Sequence, residues 1–386
     1  MVDAKQHAAS VVDRRLGDLV RLSHDLHAHP ETSFAEHRSA AAVAGMLEGF
    51  DVTPGVCGMP TAFSARAGSG PLVVAVCAEY DALPDVGHAC GHNVIAAAAV
   101  GAGLALAEVA DDVGLTVLVL GTPAEEGGGG KVLMLERGAF EGVHAAMMVH
   151  PWPAGPSRSD RLAGRCLATS HFDVTFSGKE AHASAAPWEG VNALDAMTVA
   201  QVGIGLLRQH LRPGDQVHGV VLEGGVAANI VPETVRGRFM CRATTLEGLA
   251  LLDPRVRACF EAGARATGAT LAFEELSPVY SHMESDTALL AAYRKNAEAL
   301  GRRFTLDDEG AALPTFSTDM ANVSLAVPTI HPLVGIDAGG AVNHQHAFAA
   351  ACVTASGDTA VRDGALAMAW TAIDAATEPE LRDHLI

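Results

Sequence analysis

Basic residues are scarce in this sequence of 386 residues. Only 26 lysines and arginines stand against 45 aspartates and glutamates, which gives a formal net charge of −19 at pH 7 with neutral histidines. A protein that binds nucleic acid, or that is held on an anionic membrane surface, needs a basic face. We therefore expect neither nucleic acid nor a membrane among the partners of this chain.

Cysteines are also few, and their number is odd. The seven cysteines are scattered along the chain, and some of them, such as Cys77, lie inside apolar runs. A disulfide framework is instead typical of small secreted chains with paired cysteines. The amino-terminal segment lacks the apolar core of a signal peptide. These features predict a protein of the reducing cytoplasm.

Long apolar runs are absent as well. The longest, residues 94–107, contains two glycines and is shorter than the roughly 20 residues that a membrane-spanning helix requires. Hydrophobic residues nevertheless make up 49% of the chain and charged residues only 18%. This composition predicts a globular protein with a sizeable core, in which the run forms a buried helix, and the length suggests two domains.

The first half of the chain alternates short β-branched runs with helical patterns. This alternation is typical of a mostly parallel sheet that is covered by helices. The predicted strands are 71–78, 115–120 and 143–149. The predicted helices are 11–29, 36–48, 92–108 and 131–137.

From about residue 168 the order of the predicted elements changes to β-α-β-β-α-β. The six segments are 169–177, 190–210, 216–222, 234–242, 246–267 and 270–276. This order is that of the split βαβ, or ferredoxin-like, unit. Further elements follow at 285–300 (helix), 326–330 (strand) and 355–376 (helix). We therefore predict an α/β fold whose discontinuous first domain, 1–167 and 281–386, is interrupted by an inserted domain, 168–280.

Polar residues follow each of the three predicted parallel strands, where open α/β sheets place their functional sites. The thiol, imidazole and carboxylate groups in these segments belong to Cys90, His92, Glu125, Glu126 and His150. Such a mixture is the ligand set of a borderline-soft divalent ion. Of two adjacent carboxylates, one can bind a metal while the other takes a proton from water.

Each of these residues alone has a plainer interpretation. A cysteine near a histidine usually packs as a small hydrophobe, and a glutamate pair usually belongs to a solvated face. Their coincidence beyond three strands of one sheet, beside glycines that permit close approach, favours a metal site. A cysteine nucleophile remains a competing hypothesis, since Cys90 is flanked by His88 and His92. It would predict activity that survives a chelator and is lost on alkylation.

Several segments, taken in order, resemble one known family. HACGHN, TPAEEGGGGK, MMVHP, SGKEAHASAAPWEGVNALDA, VAANIVPE and HQHAF resemble the metal-dependent amidohydrolases that include aminoacylases, hippurate hydrolases, indole-acetyl-amino-acid hydrolases and p-aminobenzoyl-glutamate hydrolases. The match runs from residue 26 to the last helix. Asn93, where aminoacylase-like members usually carry Asp, and the segment STDMANVS are more similar to the branch of p-aminobenzoyl-glutamate hydrolase and the dipeptidases that cut β-alanyl dipeptides.

The resemblance implies two divalent metal ions per subunit, with zinc as the first expectation and manganese, cobalt or nickel as alternatives. The implied ligands are Cys90, His92, Glu126, His150 and a histidine near the carboxyl terminus. Family members read His-x-x-x-Phe at that point, and His344 stands four residues before Phe348, so His344 is chosen and His346 stays an alternative.

The resemblance also implies roles for further residues. Glu125 would be the general base and acid, and Asp81 would orient a ligand histidine. His182 would reach the scissile carbonyl, from the other protomer if the inserted domain is both a lid and the interface of a homodimer. Asn229 would contact the substrate, although a turn-forming asparagine is an equal alternative.

The implied reaction is hydrolysis of the amide bond in N-acyl or N-aroyl amino acids. A dipeptidase acting on small dipeptides is the alternative, and a non-catalytic metal-binding relative is a remote one. Arg238 and Arg242 are the candidate cations for a substrate carboxylate, provided that the alternation of their strand places them on one face.

Overall fold

A computed structural model of the protein describes residues 4–154, 159–304 and 315–386. The chain divides into two compact units. The first consists of Met1–Arg165 and Met283–Ile386, and the second of Cys166–His282, whereas the sequence predicts 168–280 for the insertion. The second unit is therefore inserted into the first at a single point of the chain.

The helices and strands are numbered in chain order. The helices are α1 (Ala4–Ala28), α2 (His37–Gly45), α3 (His92–Ala107), α4 (Ala110–Val113), α5 (Gly130–Glu136), α6 (Ala193–Leu207), α7 (Leu246–Thr267), α8 (Thr287–Ala299), α9 (Met320–Ser324), α10 (His346–Ala351), α11 (Ala355–Thr377) and α12 (Pro379–Leu385). The strands are β1 (Asp51–Pro54), β2 (Phe63–Gly68), β3 (Leu72–Ala78), β4 (Leu115–Gly121), β5 (Ala145–Met147), β6 (His150–Pro153), β7 (Arg165–Cys166), β8 (Ala168–Ser177), β9 (Gln216–Glu223), β10 (Thr234–Ala243), β11 (Thr270–Glu275), β12 (Thr315–Phe316), β13 (Thr329–Ile330) and β14 (Leu333–Ile336).

A six-stranded sheet lies at the centre of the first unit, in the order β1-β2-β4-β3-β5-β13. The pairs β4–β3, β3–β5 and β5–β13 are parallel, while β1 and β2 extend one edge in antiparallel fashion. Alternate residues of β3 join different hydrophobic clusters, Val74 and Val76 one cluster, Ala75 and Cys77 the other. Both faces are covered, so β3 is continuously apolar and every residue of β4 is buried. The fold is mixed α/β with a mostly parallel central sheet.

Helix α3 is buried along nearly its whole length, as the apolar run 94–107 predicts. It packs against α1, α11 and β3, so it has no face that needs polar residues. Its many alanines and glycines allow these neighbours to approach closely. None of the helices in the described residues is both long enough and apolar enough to cross a membrane.

The inserted unit has the element order β8-α6-β9-β10-α7-β11 and an antiparallel sheet in the order β11-β8-β10-β9. Phenylalanines fill the core between this sheet and its helices, with Phe239 and Phe260 packed edge to face at 4.7 Å. Thr245 caps α7 as the sequence predicts, since its Oγ1 accepts a hydrogen bond from the Gly248 amide at 3.1 Å. This unit therefore has a hydrophobic core of its own.

Two local differences from the sequence predictions have physical reasons. Strand β13 begins at Thr329, not at residue 326, because the amides of Ala326 and Val327 still bond to the Val323 carbonyl at the end of α9. The edge strands β1 and β2 were not predicted. β1 is short and mostly exposed, so it lacks the continuous apolar pattern of a buried strand.

Candidate metal centre

Four of the five predicted ligands lie at the carboxyl ends of neighbouring parallel strands. Cys90 and His92 follow β3, with His92 as the first residue of α3. Glu126 follows β4, and His150 follows β5. Because the carboxyl ends of parallel strands meet at one edge of the sheet, residues that are distant in sequence converge there.

Ligand atoms of the five residues fall into two overlapping triads. Cys90, His92 and His150 each offer one ligand atom within 4.8 Å of the others, and so do Cys90, Glu126 and His344. Cys90 belongs to both triads, and its Sγ lies 3.6 Å from His344 Nε2. The structure thus brings all five predicted ligands into one cluster.

The carboxyl-terminal histidines differ in position. His344 has a left-handed backbone, with φ 68°, and its amide donates to the Ala89 carbonyl at 2.9 Å. Its Nε2 lies 3.9 Å from Glu126 Oε2. His346 is an exposed residue at the start of α10 and joins none of the ligand groups that the described residues form. This geometry agrees with the choice of His344 over His346.

Asp81 holds two parts of the cluster. Its Oδ1 lies 2.9 Å from His92 Nδ1, and its Oδ2 accepts a hydrogen bond from the Glu126 amide at 3.0 Å. A proton on Nδ1 leaves His92 Nε2 free to act as the ligand atom. This nitrogen is surrounded by carboxylates, at 3.5 Å from Glu79 and 3.7 Å from Glu125. Asp81 thus has the contacts of a residue that orients a ligand histidine.

The backbone beside the ligands is under tight steric control. Gly91, between two ligands, has φ 81°, and a Cβ there would lie 2.8 Å from Pro151 Cγ. Only glycine satisfies both the left-handed conformation and this close approach. Ala124, directly before Glu125, also has a positive φ of 60°. Strained residues of this kind are found where the surrounding structure holds a functional group in place.

The cluster is short of positive charge. Burial, with help from Glu126, raises the pKa of the Cys90 thiol well above its usual range. Burial and repulsion from Glu79 and Glu126 likewise raise the pKa of Glu125 well above its usual range. Burial lowers the pKa of His150 to about 4, so this imidazole is neutral near pH 7. A divalent cation would relieve the repulsion, and neutral imidazole and thiolate are its ligands.

Two buried atoms support the same interpretation. Within the described residues, His92 Nε2 and Glu126 Oε1 have no hydrogen-bond partner. Buried polar atoms are rarely left without a partner, because the loss of hydration is costly. Both atoms belong to the ligand cluster. The thiol, imidazole and carboxylate groups present here therefore fit a divalent metal site.

His182 and Asn229 lie together in the inserted unit. His182 pairs with Ile230 in an isolated bridge, and the Ala183 amide donates to the Asn229 carbonyl at 3.0 Å. His182 Nδ1 accepts from the Ser184 amide at 3.3 Å, which assigns the ring proton to Nε2. Both side chains are exposed on this unit.

Arg238 and Arg242 share one face of β10, since the residues between them alternate in burial. Arg238 is not a free cation, because its Nε donates to Asp173 Oδ1 at 2.7 Å and its guanidinium also contacts Oδ2. Asp173 is buried and further contacts Arg236 at 3.1 Å. This pairing reduces the positive charge that Arg238 can offer to a substrate.

Four further residues lie at or near the candidate metal centre, and the sequence did not predict a role for them. They are Glu79, Lys131, Asp319 and His331, and all four are buried. His331 follows β13 as His150 follows β5, and their rings lie 5.5 Å apart. The rule that polar residues follow parallel strands could have found His331. No comparable sequence signal marks Lys131 and Asp319 as partners, since they lie 188 residues apart.

Known proteins resemble this chain in sequence and in fold. The chain is 38% identical to the Xaa-Arg dipeptidase of Mus musculus, across 98% of this chain and 90% of that protein. It is 34% identical to a p-aminobenzoyl-glutamate hydrolase polypeptide of Escherichia coli K12, across 63% of this chain and 54% of that protein. A Bacillus subtilis structure described as a dinuclear metal-binding peptidase of the M20 family superimposes with a TM-score of 0.71 at 22% identity, over 94% of this chain and 98% of that one. This last likeness shows a shared fold.

The protein is thus a metal-dependent hydrolase of the amidohydrolase and peptidase class. Residues 75–358 match the peptidase family M20/M25/M40, and the chain belongs to that family. The family resemblance drawn from the sequence motifs is confirmed. The relatives support hydrolysis of acyl-amino acids or dipeptides.

Proposed function

We propose that this protein hydrolyses the amide bond of small dipeptides or N-acyl amino acids with two bound divalent metal ions. The implied ligands are Cys90, His92, Glu126, His150 and His344. The observation that carries this proposal is their convergence in two overlapping triads beside Glu125. Zinc fits the thiolate and imidazole groups best, and manganese, cobalt and nickel also suit a mixed N and O site.

The bound ions would supply Lewis acidity toward the substrate carbonyl and would lower the pKa of water. Glu125 provides the proton transfer. One of its oxygens lies within 4.8 Å of ligand atoms of His92 and Glu126, so its carboxylate borders the cluster. This position suits a group that accepts a proton at Oε and later returns it to the leaving amine.

Asp81 maintains the ligand geometry in this proposal. It fixes the tautomer of His92 and, through the Glu126 amide, the position of the strand end that carries the glutamate pair. Partners of this kind orient metal ligands and raise their basicity. We assign Asp81 to positioning and Glu125 to catalysis.

The inserted domain would act as a ferredoxin-like lid and as the interface of a homodimer. His182 Nε2–H would donate to the developing oxyanion, and Asn229 would contact the substrate. Support for dimerisation comes from exposed apolar side chains on the insert: Val202 (59% exposed) and Leu206 (71%) on α6, and Val220 (53%) on the edge strand β9. A second copy could pair with the edge strand β9 and extend the sheet. A monomer in light scattering would contradict the dimer and any role of His182 across it.

Dipeptides are the first substrate class that we propose. The mouse relative, a dipeptidase for Xaa-Arg substrates, matches nearly the whole chain, whereas the p-aminobenzoyl-glutamate relative matches 63% of it. N-acyl and N-aroyl amino acids, which the motifs alone put first, are the second class. The seven cysteines are free in the structure, and we place the enzyme in the cytoplasm.

The test compares substrates on one metal-loaded preparation. An Xaa-Arg dipeptide, a β-alanyl dipeptide, p-aminobenzoyl-glutamate and an N-acetyl amino acid are assayed in parallel. We expect the highest kcat/KM on a dipeptide. A preference for p-aminobenzoyl-glutamate or the N-acetyl amino acid would select the second class instead.

The role of Glu125 is tested with Glu125→Gln, which keeps the shape of the side chain and removes its basicity. We expect kcat to fall by about 10² to 10⁴-fold, while metal analysis still finds wild-type metal content. Near-normal turnover with bound metal would refute the general-base assignment. Activity that survives chelation but is lost on alkylation of Cys90 would support the cysteine nucleophile instead.

A further inference from the structure

Lys131 lies in a cage of carboxylates behind the metal centre. Its Nζ is 2.5 Å from Glu79 Oε1 and 2.5 Å from Asp319 Oδ1. All three side chains are completely buried. None of the three belongs to the five proposed metal ligands, and a buried lysine requires such partners because its charge loses its hydration.

The carboxylates that surround Lys131 lie next to the carboxylate of Glu125. Glu79, Glu125 and Asp319 each offer a carboxylate oxygen, and these three oxygens lie within 4.8 Å of one another. Three carboxylates at this separation repel one another strongly in a buried environment unless a cation lies among them. The Lys131 ammonium is paired with two of the three. It is therefore the internal cation of this group.

Asp319 holds the main chain of Lys131 as well as its side chain. Its Oδ2 accepts a hydrogen bond from the Lys131 amide at 2.8 Å. The preceding turn is tightly folded: a Cβ at Gly130 would lie 1.9 Å from the Pro123 carbonyl oxygen. This turn begins with Glu125 and Glu126 and ends at Lys131. Asp319 thus closes the turn that carries the glutamate pair.

We propose that Lys131 is a positioning residue for amide hydrolysis. Through Asp319 and Glu79 it holds the Glu125 carboxylate in the orientation that proton transfer requires, and through its amide it closes the glutamate-bearing turn. The inference rests on the proposed role of Glu125 as the base. It differs from a merely structural ion pair, which would affect folding stability and leave the turnover of folded molecules unchanged.

The main test uses Lys131→Met, which preserves much of the side-chain length and removes the charge. We expect a loss of kcat of about 100-fold, the scale on which small misplacements of catalytic groups act, with KM changed less than about threefold and wild-type metal content. Lys5→Met is the matched control: Lys5 pairs with Asp374 at 2.6 Å on the amino-terminal helix. That variant should lose stability and keep its kcat.

Two further variants keep the test informative if Lys131→Met folds poorly. Asp319→Asn leaves the Lys131–Glu79 pair and should lower kcat less than Lys131→Met does. Lys131→Met combined with Asp319→Asn removes one charge of each sign, so thermal stability should recover relative to Lys131→Met while kcat stays low. Recovery of kcat together with stability would show a structural ion pair and overturn the proposal.

The outcome for Glu125→Gln separates the two levels of inference. If Glu125→Gln is folded but inactive, and metal-loaded Lys131→Met keeps a kcat within about threefold of wild type, only the positioning role is refuted. If Glu125→Gln retains turnover, the proposed base is wrong and the positioning role is overturned with it.

Discussion

Two buried clusters of charged side chains in the first unit differ in how completely their polar atoms are hydrogen-bonded. In the arginine cluster, formed by Arg302, Asp160 and Asp363, the guanidinium donates to Asp160 Oδ2 at 3.0 Å and to the Gly335 carbonyl at 2.7 Å, and contacts Asp363 at 3.4 Å. The Gly335 amide in turn donates to Asp160. None of these side chains has a buried atom without a partner in the described part of the chain.

The metal centre has the reverse pattern. Its carboxylates and its thiol outnumber the nearby cations, and His92 Nε2 and Glu126 Oε1 have no partner among the described residues. A cluster that satisfies its own charges has no capacity for a ligand, whereas one with surplus acceptors can hold a cation. Burial of charge therefore does not by itself mark a functional site; here the distinguishing feature is a group of potential metal ligands with acceptor atoms that lack partners.

Metal removal should have the largest effect of the changes considered, and it should act through the metal centre and not through the arginine cluster. Dialysis against a chelator should lower kcat/KM by about a thousandfold or more, since bound ions contribute several kcal/mol of transition-state stabilisation. Zinc, manganese or cobalt should restore it. The measurement is activity together with metal analysis during titration of each ion.

The histidine pair near the carboxyl terminus provides the matched control. His344→Ala should weaken retention of metal in competition with a chelator, and His346→Ala should behave as wild type. Full activity in the chelated protein would contradict the assignment of the cluster as a metal centre.

Arg302→Met should have the next largest effect, and it should act on stability alone. The substitution leaves Asp160 and Asp363 buried without their cation, which costs about 3–5 kcal/mol in comparable buried pairs. Urea denaturation measures the free energy of unfolding, and kcat per folded molecule should stay unchanged. Arg294→Met, which breaks an exposed pair with Glu298, should cost less than about 1 kcal/mol. Equal losses of unfolding free energy in the two variants would contradict the distinction between the buried arginine cluster and the exposed ion pair.

The smallest expected effect concerns Glu36. This buried carboxylate has a main-chain partner but no arginine or lysine within ion-pair distance in the described residues. It accepts a hydrogen bond from the Ala124 amide at 2.9 Å. Burial, with repulsion from Asp81, raises the pKa of Glu36 to about 7. A raised pKa adds stability that is fully present below about pH 4.5 and is lost as the pH rises through about 7.

The stability of the wild-type protein relative to Glu36→Gln should therefore fall between pH 4.5 and 7, by up to about 3 kcal/mol. Denaturant unfolding of both proteins across this range measures the difference. Parallel stability curves for the two proteins would mean that Glu36 does not titrate in this interval.

Elements with a strong local pattern were predictable from the sequence. Helix α7 has the predicted bounds, and strands β3 and β4 differ from the predicted ones by a single residue. Their patterns are local: a capping threonine before an amphipathic run, or a short run of mostly apolar, β-branched residues. Strand β1 was missed because it is held only by pairing with β2, a contact that leaves little trace in an exposed four-residue segment.

At the site, the residue types that follow each strand end can be read from the sequence alone. The central sheet then brings Cys90 and Glu126 together because β3 and β4 are neighbouring parallel strands, and the hydrogen bond from the His344 amide to the Ala89 carbonyl holds His344 beside them. The pairing of Lys131 with Asp319, by contrast, emerges only in the folded chain. The physical reason is that apolar periodicity is set by neighbouring residues, whereas the strength and partner of a buried charge depend on the distance and dielectric that folding creates.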